Sequence, residues 1–185
     1  MNEKLRIKEE VFLNNYLPTL DQEYIDIVKE ILDNQEFKKR LSFLHHEDSS
    51  VYVHCLLVSY KAYKISKALK LDYKSAAIAG LLHDFYNEDW HTSTHKEKNF
   101  FDKHGFRHPK EALKNSRIFF QNFMNPMIED AIVKHMFPLT ISLPRYKESW
   151  IITLSDKLVS LSVFKKPTKI LTYVGIGLKK GDKNE

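Results

Sequence analysis

Residues 76–84 read Ala-Ala-Ile-Ala-Gly-Leu-Leu-His-Asp, and this stretch decides the fold of the chain. Seven small or apolar residues in a row, after Asp72 as an N-cap, predict a helix that its neighbours bury. His83 and Asp84 come where this helix ends. Burying an imidazole or a carboxylate is costly unless each has a partner, so the pair contributes little to an apolar core. Both are metal ligands, and the stretch therefore predicts a buried helix that presents two of them.

Helical spacing of apolar residues continues on both sides of this stretch, and no run alternates as a strand would. Most of the predicted helices begin at a capping residue or a proline. They cover 21–34, a short segment from Phe37 to Leu44, 51–69, 72–83, 108–124, 125–135 and 146–164. Residues 85–107 have no clean period and are predicted to be irregular. The sequence predicts an all-α fold, a single compact helical bundle.

The length of 185 residues fits one domain with one core. We expect 1–185 to form a single domain whose motif-bearing part is about 45–165. Residues 1–44 would supply N-terminal helices packed on that part, and 166–185 would be a basic tail. The net charge is +5, of which +4 lies in residues 165–185. A basic tail is a common solubilising end, so we predict no nucleic-acid binding.

Several features bear on the compartment. The N-terminus has no apolar signal core, and no apolar run approaches the roughly 20 residues that a membrane-spanning helix needs. The single cysteine, Cys55, cannot form an internal disulfide. It lies in an apolar helix pattern, which predicts a small buried residue rather than a nucleophile. The sequence predicts a cytoplasmic protein with no membrane partner.

Polar residues recur on predicted apolar stripes. His54 shares a helical face with Val51 and Val58, and His135 shares one with Ile132. The full set is His54, His83, Asp84, His135 and Asp156. Taken alone, a buried histidine is more often a hydrogen-bonded core residue, and an aspartate can pair with a lysine or an arginine. Because these five come from four helices, one cation site explains them together.

The ordered set of His54, His83-Asp84 and Asp156 resembles the HD-domain superfamily of metal-dependent phosphohydrolases. The separations are 29 residues from His54 to His83 and 72 from Asp84 to Asp156. Residues 79–84 resemble the signature helix of that family, and Leu154-Ser155-Asp156-Lys157 resembles its last motif. The resemblance covers about residues 45–165 and implies an HD-domain-like bundle with metal-dependent hydrolase activity.

Two further elements are similar to HD members that hold two metals. These elements are His104-Gly105-Phe106-Arg107-His108-Pro109 and Lys134-His135. His108 is the preferred extra ligand because it directly precedes Pro109, although the spacing does not decide between His104 and His108. Among two-metal members, the chain resembles the bacterial HD hydrolases that split diadenosine tetraphosphate symmetrically. The resemblance implies two divalent transition metals per chain, with iron or manganese favoured and zinc, nickel, cobalt or magnesium also compatible.

This resemblance implies a mechanism. Asp84 would bridge two metals and be the catalytic residue, with His54, His83 and Asp156 on one metal and His108 and His135 on the other. A water held between metals about 3.5–4 Å apart would become the nucleophile. The candidates for contact with the substrate phosphate are Lys157, Arg107 and Lys134. Each of these could equally be a solvent-facing cation.

The predicted partner is a small-molecule phosphate ester or anhydride, most simply a nucleotide. Two other classes of function fit the same ligands. One is a di-iron oxygenase, and the other is a non-catalytic domain that senses a metal or a nucleotide. The sequence is compatible with a monomer or a homodimer.

Overall fold

The computed structural model describes residues 3–46, 49–87 and 104–163. The helices are α1 (Glu3–Tyr16), α2 (Gln22–Asp33), α3 (Gln35–Lys38), α4 (Val51–Ala68), α5 (Tyr73–Leu82), α6 (His104–Phe119), α7 (Pro126–Lys134) and α8 (Lys147–Val163). Short 3-10 turns cover Leu17–Thr19, Lys39–Ser42 and Gln121–Phe123. Two short strands, β1 (Leu44–His46) and β2 (Ser49–Ser50), pair antiparallel just before α4. The predicted all-α fold class is confirmed.

Side-chain caps fix the start of four helices close to where the sequence predicts them. Asp21 accepts a hydrogen bond from the backbone N–H of Glu23. The equivalent caps of α4, α5 and α7 are Ser50, Asp72 and Asn125. Each cap satisfies an N–H that the first helical turn leaves without an internal partner. These caps set where α4, α5 and α7 begin, and those helices lead to His54, His83 and His135.

The prediction for α6 was wrong at both ends. This helix begins at His104, four residues before the predicted start, and ends at Phe119 rather than near Met124. Pro109 lies inside it instead of at its first position. Pro109 is the sixth residue of this helix, beyond the first turn, so its missing N–H removes one internal hydrogen bond of α6. The rest of the segment predicted to be irregular, 88–103, and the predicted tail, 166–185, lie outside the described residues.

Helices α4 and α5 form the centre of the bundle and pack unusually closely. A Cβ atom built on Gly80 would lie 2.5 Å from the Cα atom of Ser59, so only glycine allows this approach. The Ser59 hydroxyl donates to the carbonyl of Ala77 at 2.6 Å and accepts from the Tyr24 hydroxyl at 2.8 Å. This contact fixes the position of α5, and hence of His83, relative to α4.

The N-terminal helices pack against α4. Phe37 lies 5.2 Å from Tyr52 between ring centroids, and Tyr24 lies 4.9 Å from Tyr60. The buried carboxylate of Glu9 on α1 accepts a hydrogen bond from the backbone N–H of Ser50. The apolar side chains of α2 therefore belong to the same core as α4 and α5.

None of the helices in the described ranges combines the length and the apolar character needed to cross a bilayer.

Candidate metal centre

Six imidazole and carboxylate side chains meet where α4, α5, α6, α7 and α8 converge. They are His54, His83, Asp84, His108, His135 and Asp156, and none is more than 8% exposed. The positions follow from the helices. His83 and His135 are the C-terminal caps of α5 and α7, so both helices end at the cluster. His54 lies in the first turn of α4.

One side of the cluster contains His54, His83 and Asp156. The Nε2 atoms of His54 and His83 lie 3.3 Å apart. Oδ1 of Asp156 lies 3.2 Å from Nε2 of His54 and 3.8 Å from Nε2 of His83. The other side contains His108 and His135, whose Nε2 atoms lie 2.9 Å apart.

The carboxylate of Asp84 lies between these two sides. Its Oδ2 atom lies 3.5 Å from Nε2 of His83 and 3.8 Å from Nε2 of His54. Its Oδ1 atom lies 3.2 Å from Nε2 of His108 and 3.5 Å from Nε2 of His135. The two oxygens of one residue therefore face two different pairs of imidazoles.

Backbone carbonyls fix the orientation of two histidines. Nδ1 of His83 lies 2.8 Å from the carbonyl oxygen of Gly80, and Nδ1 of His135 lies 2.8 Å from that of Ile132. A carbonyl oxygen can only accept a hydrogen bond, so each Nδ1 carries the hydrogen. In the neutral ring, Nε2 then presents a lone pair to the cluster, as a metal-ligating histidine does.

Burial and charge set the protonation of the cluster. Burial lowers the pKa of His83 and lowers that of His135 to about 3, which keeps both rings neutral at pH 7. Burial alone would raise the pKa of Asp84, but the imidazoles of His83 and His108 outweigh it and hold that pKa well below its usual range. The pKa of Asp156 is lowered in the same way, against burial, chiefly by His54. Neutral imidazoles and ionised carboxylates are the ligand forms that bind a cation.

The donor set fits metal ions. Two groups, His54–His83–Asp84 and Asp84–His108–His135, each have their donor atoms within 4.8 Å of one another. Lone pairs and two negative charges converge in a buried volume, and a cation would compensate their mutual repulsion. Imidazole and carboxylate without thiolate suit divalent transition metals. The cluster could therefore hold metal ions.

Comparison with models of protein families finds an HD domain over residues 51–161, from the start of α4 almost to the end of α8. The chain belongs to the HD-domain family. All six residues of the cluster lie within the matched range. HD domains are typically metal-dependent phosphohydrolases, so the family and the buried cluster point to the same class of chemistry. No curated protein and no solved structure matches the chain.

The other residues that the sequence analysis named lie around the HD-domain cluster. His104 is the first residue of α6, and the structure describes its backbone but not its side chain. Lys157 donates to the backbone carbonyl of His135 at 2.9 Å and lies 3.5 Å from Oδ2 of Asp156. Lys134 forms an ion pair with Asp130 at 2.5 Å. Arg107 lines a groove on the outside of α6.

Sequence reasoning missed a polar network that supports the HD-domain cluster from behind. Arg40 is fully buried, with its guanidinium 4.0 Å from the centroid of the Phe85 ring. It donates to the side-chain oxygen of Asn87 at 2.6 Å. Asn115 donates to the backbone carbonyl of Phe85 at 3.0 Å, and the N–H of Asn87 donates to Glu111 at 2.8 Å. The three residues after Asp84 are therefore held from both sides.

The amino-acid sequence contains only part of the information that would predict this network. Asn115 follows His108 by seven residues, which places both on one face of α6. Arg40 and Asn87 are 47 residues apart, and nothing in the sequence periodicity links them. Cys55 is fully buried, and burial, reinforced by the negative charge of Asp84, raises the pKa of its thiol well above the usual range. It is the inert core residue that the sequence predicts.

Proposed function

We propose that the protein is a metal-dependent phosphohydrolase that cleaves a phosphate ester or anhydride of a nucleotide. We assign His54, His83 and Asp156 to one metal and His108 and His135 to a second, with Asp84 shared. The observation that carries the proposal is the division of the Asp84 carboxylate between two pairs of imidazoles. Iron and manganese are the metals that we favour.

When bound, the cations would lower the pKa of a water molecule and neutralise charge on the phosphate. The protein itself supplies orientation. The carbonyls of Gly80 and Ile132 hold two imidazoles in the ligating tautomer, so these rings need little reorganisation when a metal binds. Burial of the cluster excludes bulk water, which strengthens every charge interaction inside it.

Lys157 and Arg107 are the cations that we propose for contact with the substrate. The Lys157 ammonium lies beside Asp156, and its side chain is 37% exposed, so it reaches from the cluster towards solvent. Arg107 directly precedes His108 on α6. Lys134 was a third candidate, but its ion pair with Asp130 gives it a structural role.

The deciding experiment combines metal analysis with a substrate panel. The protein would be purified without chelator, assayed for metals per chain, and tested for phosphate release from mononucleotides, nucleoside triphosphates and diadenosine tetraphosphate. We expect about two equivalents of a transition metal and hydrolysis that a His83→Ala variant loses. Thermal unfolding of both proteins after chelation would show whether the variant keeps the fold.

Other results would overturn the proposal. Two equivalents of iron with oxygen consumption and no phosphate release would indicate the oxygenase. Tight nucleotide binding without turnover under several metals would indicate a sensor. Failure to take up any metal on reconstitution would contradict the metal centre itself.

A further inference from the structure

Large apolar side chains are exposed on one part of the molecule far more than elsewhere. Twelve are exposed in the ranges that the structure describes, and seven of these lie between Leu139 and Leu161. This segment comprises the loop that joins α7 to α8 and most of α8 itself. Single exposed apolar residues are ordinary, but a group of this size marks a surface that binds another molecule or a membrane.

The loop contributes three of the seven. Leu139, Ile141 and Leu143 occupy every second position and are all exposed, and Ile141 is 93% exposed. Each of them leaves aliphatic surface in water, where its hydration is unfavourable. The ring of Phe137, at the beginning of the loop, contacts the ring of Trp150 on α8 with 5.2 Å between centroids. The loop therefore lies against the helix that provides the other four.

Those four form a row along one face of α8. The row begins at Tyr146, directly before the helix, and continues with Trp150, Leu154 and Leu161. Steps of four and seven residues keep them on one side of the helix, and the row is about 22 Å long. We call the row and the three loop residues together the apolar surface.

Cations border the apolar surface on the side of α6. Ile141 lines the same groove as Lys110 and Lys114. Both lysines are exposed, and neither forms an ion pair within the described ranges. Glu111, the acidic residue of this lining, accepts a hydrogen bond from the backbone N–H of Asn87 at 2.8 Å. An anion beside Ile141 would therefore meet two ammonium groups that no described carboxylate pairs with.

Cations also border the apolar surface at the start of α8. Arg145 and Lys147, which flank the first residue of the row, are exposed. Glu148 is turned towards α5, where its carboxylate accepts the backbone N–H of Asp72 at 3.0 Å. Residues 165–185, which follow α8 in the sequence, hold six lysines against two acids. The charge that accompanies the apolar surface is thus predominantly positive.

We propose that the apolar surface binds an anionic lipid bilayer. Ile141 and Trp150 enter the boundary between the headgroups and the acyl chains, and the bordering lysines and arginine contact lipid phosphates. A single apolar anchor gives weak, reversible membrane binding, whereas apolar contact together with a cationic patch gives stable binding. Tryptophan and tyrosine, both present in the row, are the side chains that favour this interface. The contact lies along the membrane plane and involves no membrane-spanning helix.

Charge favours a bilayer over a second copy of the chain. Two copies that packed through the apolar surface would bring Arg145 and Lys147 of each towards cations of the other, and like charges oppose association. An anionic bilayer instead attracts all of these cations. Membrane binding of this kind replaces the sequence-based prediction of no membrane partner and is independent of the proposed hydrolysis.

The test is co-sedimentation of the full-length protein, purified without chelator, with vesicles of phosphatidylcholine and with vesicles that also contain about 30% phosphatidylserine. We expect binding to the anionic vesicles only. It should weaken between about 0.1 M and about 0.5 M NaCl, because salt screens the charges. Equal binding to both kinds of vesicle, or binding to neither, would overturn the proposal.

A substitution in the loop tests the apolar contribution. Ile141→Ser should bind the anionic vesicles at least about tenfold more weakly, because it removes the most exposed aliphatic side chain of the surface. Val11→Ser removes an exposed aliphatic side chain from α1 and is the matched control, for which we expect a change of less than about twofold.

A second pair of variants tests the charge. Lys110→Ala/Lys114→Ala should also weaken binding at least about tenfold. Lys29→Ala/Lys39→Ala removes two exposed lysines from the N-terminal part of the chain and should again change it by less than about twofold. Equal effects of these two variants would show that only the total charge matters and would contradict the location.

Fluorescence places the contact on α8. The chain has two tryptophans, so Trp90→Phe leaves Trp150 as the only one. Its emission should shift to shorter wavelength with anionic vesicles and be quenched by lipids brominated on the acyl chains. Unchanged emission from bound protein would show that another surface touches the membrane. Dimerisation that Ile141→Ser abolishes, without any vesicle binding, would assign the apolar surface to a second copy and overturn the proposal.

Discussion

The two carboxylate oxygens of Asp84 face different imidazoles. Oδ2 faces His54 and His83, and Oδ1 faces His108 and His135. A residue placed in this way belongs equally to both halves of the cluster, whereas each histidine belongs to one. Loss of a shared ligand should therefore have a different effect from loss of a single one.

Metal stoichiometry tests this difference. We expect Asp84→Ala to retain almost no tightly bound metal, because both halves lose a charged ligand. His108→Ala should retain about one equivalent, held by the half that contains His54. Elemental analysis of proteins purified in parallel measures both. Equal metal content in the two variants would contradict the assignment of Asp84 as the shared ligand.

The sequence predicts the members of the cluster better than their surroundings. His54, His135 and Asp156 could be found because each interrupts an apolar stripe at helical spacing, where a polar residue needs a reason. The structure brings six of the seven named histidines and aspartates together. The hydrogen bonds that orient His83 and His135 could not be predicted, because they depend on backbone carbonyls that every residue has.

At the level of helices, the contact between Gly80 and Ser59 fixes how closely α5 approaches α4. Gly80→Ala would gain helix propensity, but its methyl group would press on the backbone of α4, which cannot move aside locally. We expect a net loss of about 1–3 kcal/mol in the free energy of unfolding. Urea unfolding measures it, with Lys74→Ala on the exposed face of α5 as the control. A more stable Gly80→Ala protein would show that the two helices are free to separate.

Asp130 joins α7 to the start of α8. It pairs with Lys134 and accepts the N–H of Arg145 at 2.8 Å. Burial tends to raise the pKa of Asp130, but these partners outweigh it and the pKa is lowered. The resulting stability is present above the unfolded pKa of about 3.9 and is lost as the pH falls through the lower folded pKa.

We therefore expect Asp130→Asn to be less stable than wild type by about 1–2 kcal/mol at pH 7. The difference should shrink as the pH falls from about 4 through the lower folded pKa, because the unfolded wild-type chain is protonated first and the folded carboxyl only at lower pH. Unfolding midpoints at pH 7, 5, 4 and 3 measure this. Asp33→Asn removes an exposed pair with Lys38 and should change little at any pH. A difference that grows on acidification would contradict the argument.

Helix boundaries were predictable where a side chain marks them. Asp21, Asp72 and Asn125 each cap a helix in the structure as the sequence indicates. The start of α6 was missed because residues 104–107 have no apolar period and Pro109 imitates a first-turn proline. Contacts between helices, rather than local sequence, decide where such a helix begins.

On the scale of the whole molecule, the family match begins at Val51, but the hydrophobic core also contains residues that precede Val51. Tyr24, Val28, Ile31 and Phe37 are all fully buried in the core that surrounds α4 and α5. Without α1–α3, the Tyr52 and Tyr60 side of α4 would face water.

A fragment that lacks residues 1–50 should therefore not fold cooperatively. Exposure of the apolar side chains that α2 and α3 cover costs more than the marginal stability of a typical domain, about 5–15 kcal/mol. Near-UV circular dichroism and thermal unfolding of the fragment, beside the full chain, measure this. A cooperative transition together with unchanged metal content would show that the HD-domain match alone is a folding unit.

The hydrogen bond between Arg40 and Asn87 has a consequence for how related sequences vary. The Arg40 guanidinium is fully buried, so loss of the Asn87 acceptor would take away one of its two hydrogen-bond partners, the other being the backbone carbonyl of Glu36. Related chains are therefore expected to exchange the two positions together, for instance to a pair of apolar residues. An alignment of relatives would show this as correlated change between the 3-10 turn Lys39–Ser42, outside the family match, and the turn that follows His83-Asp84.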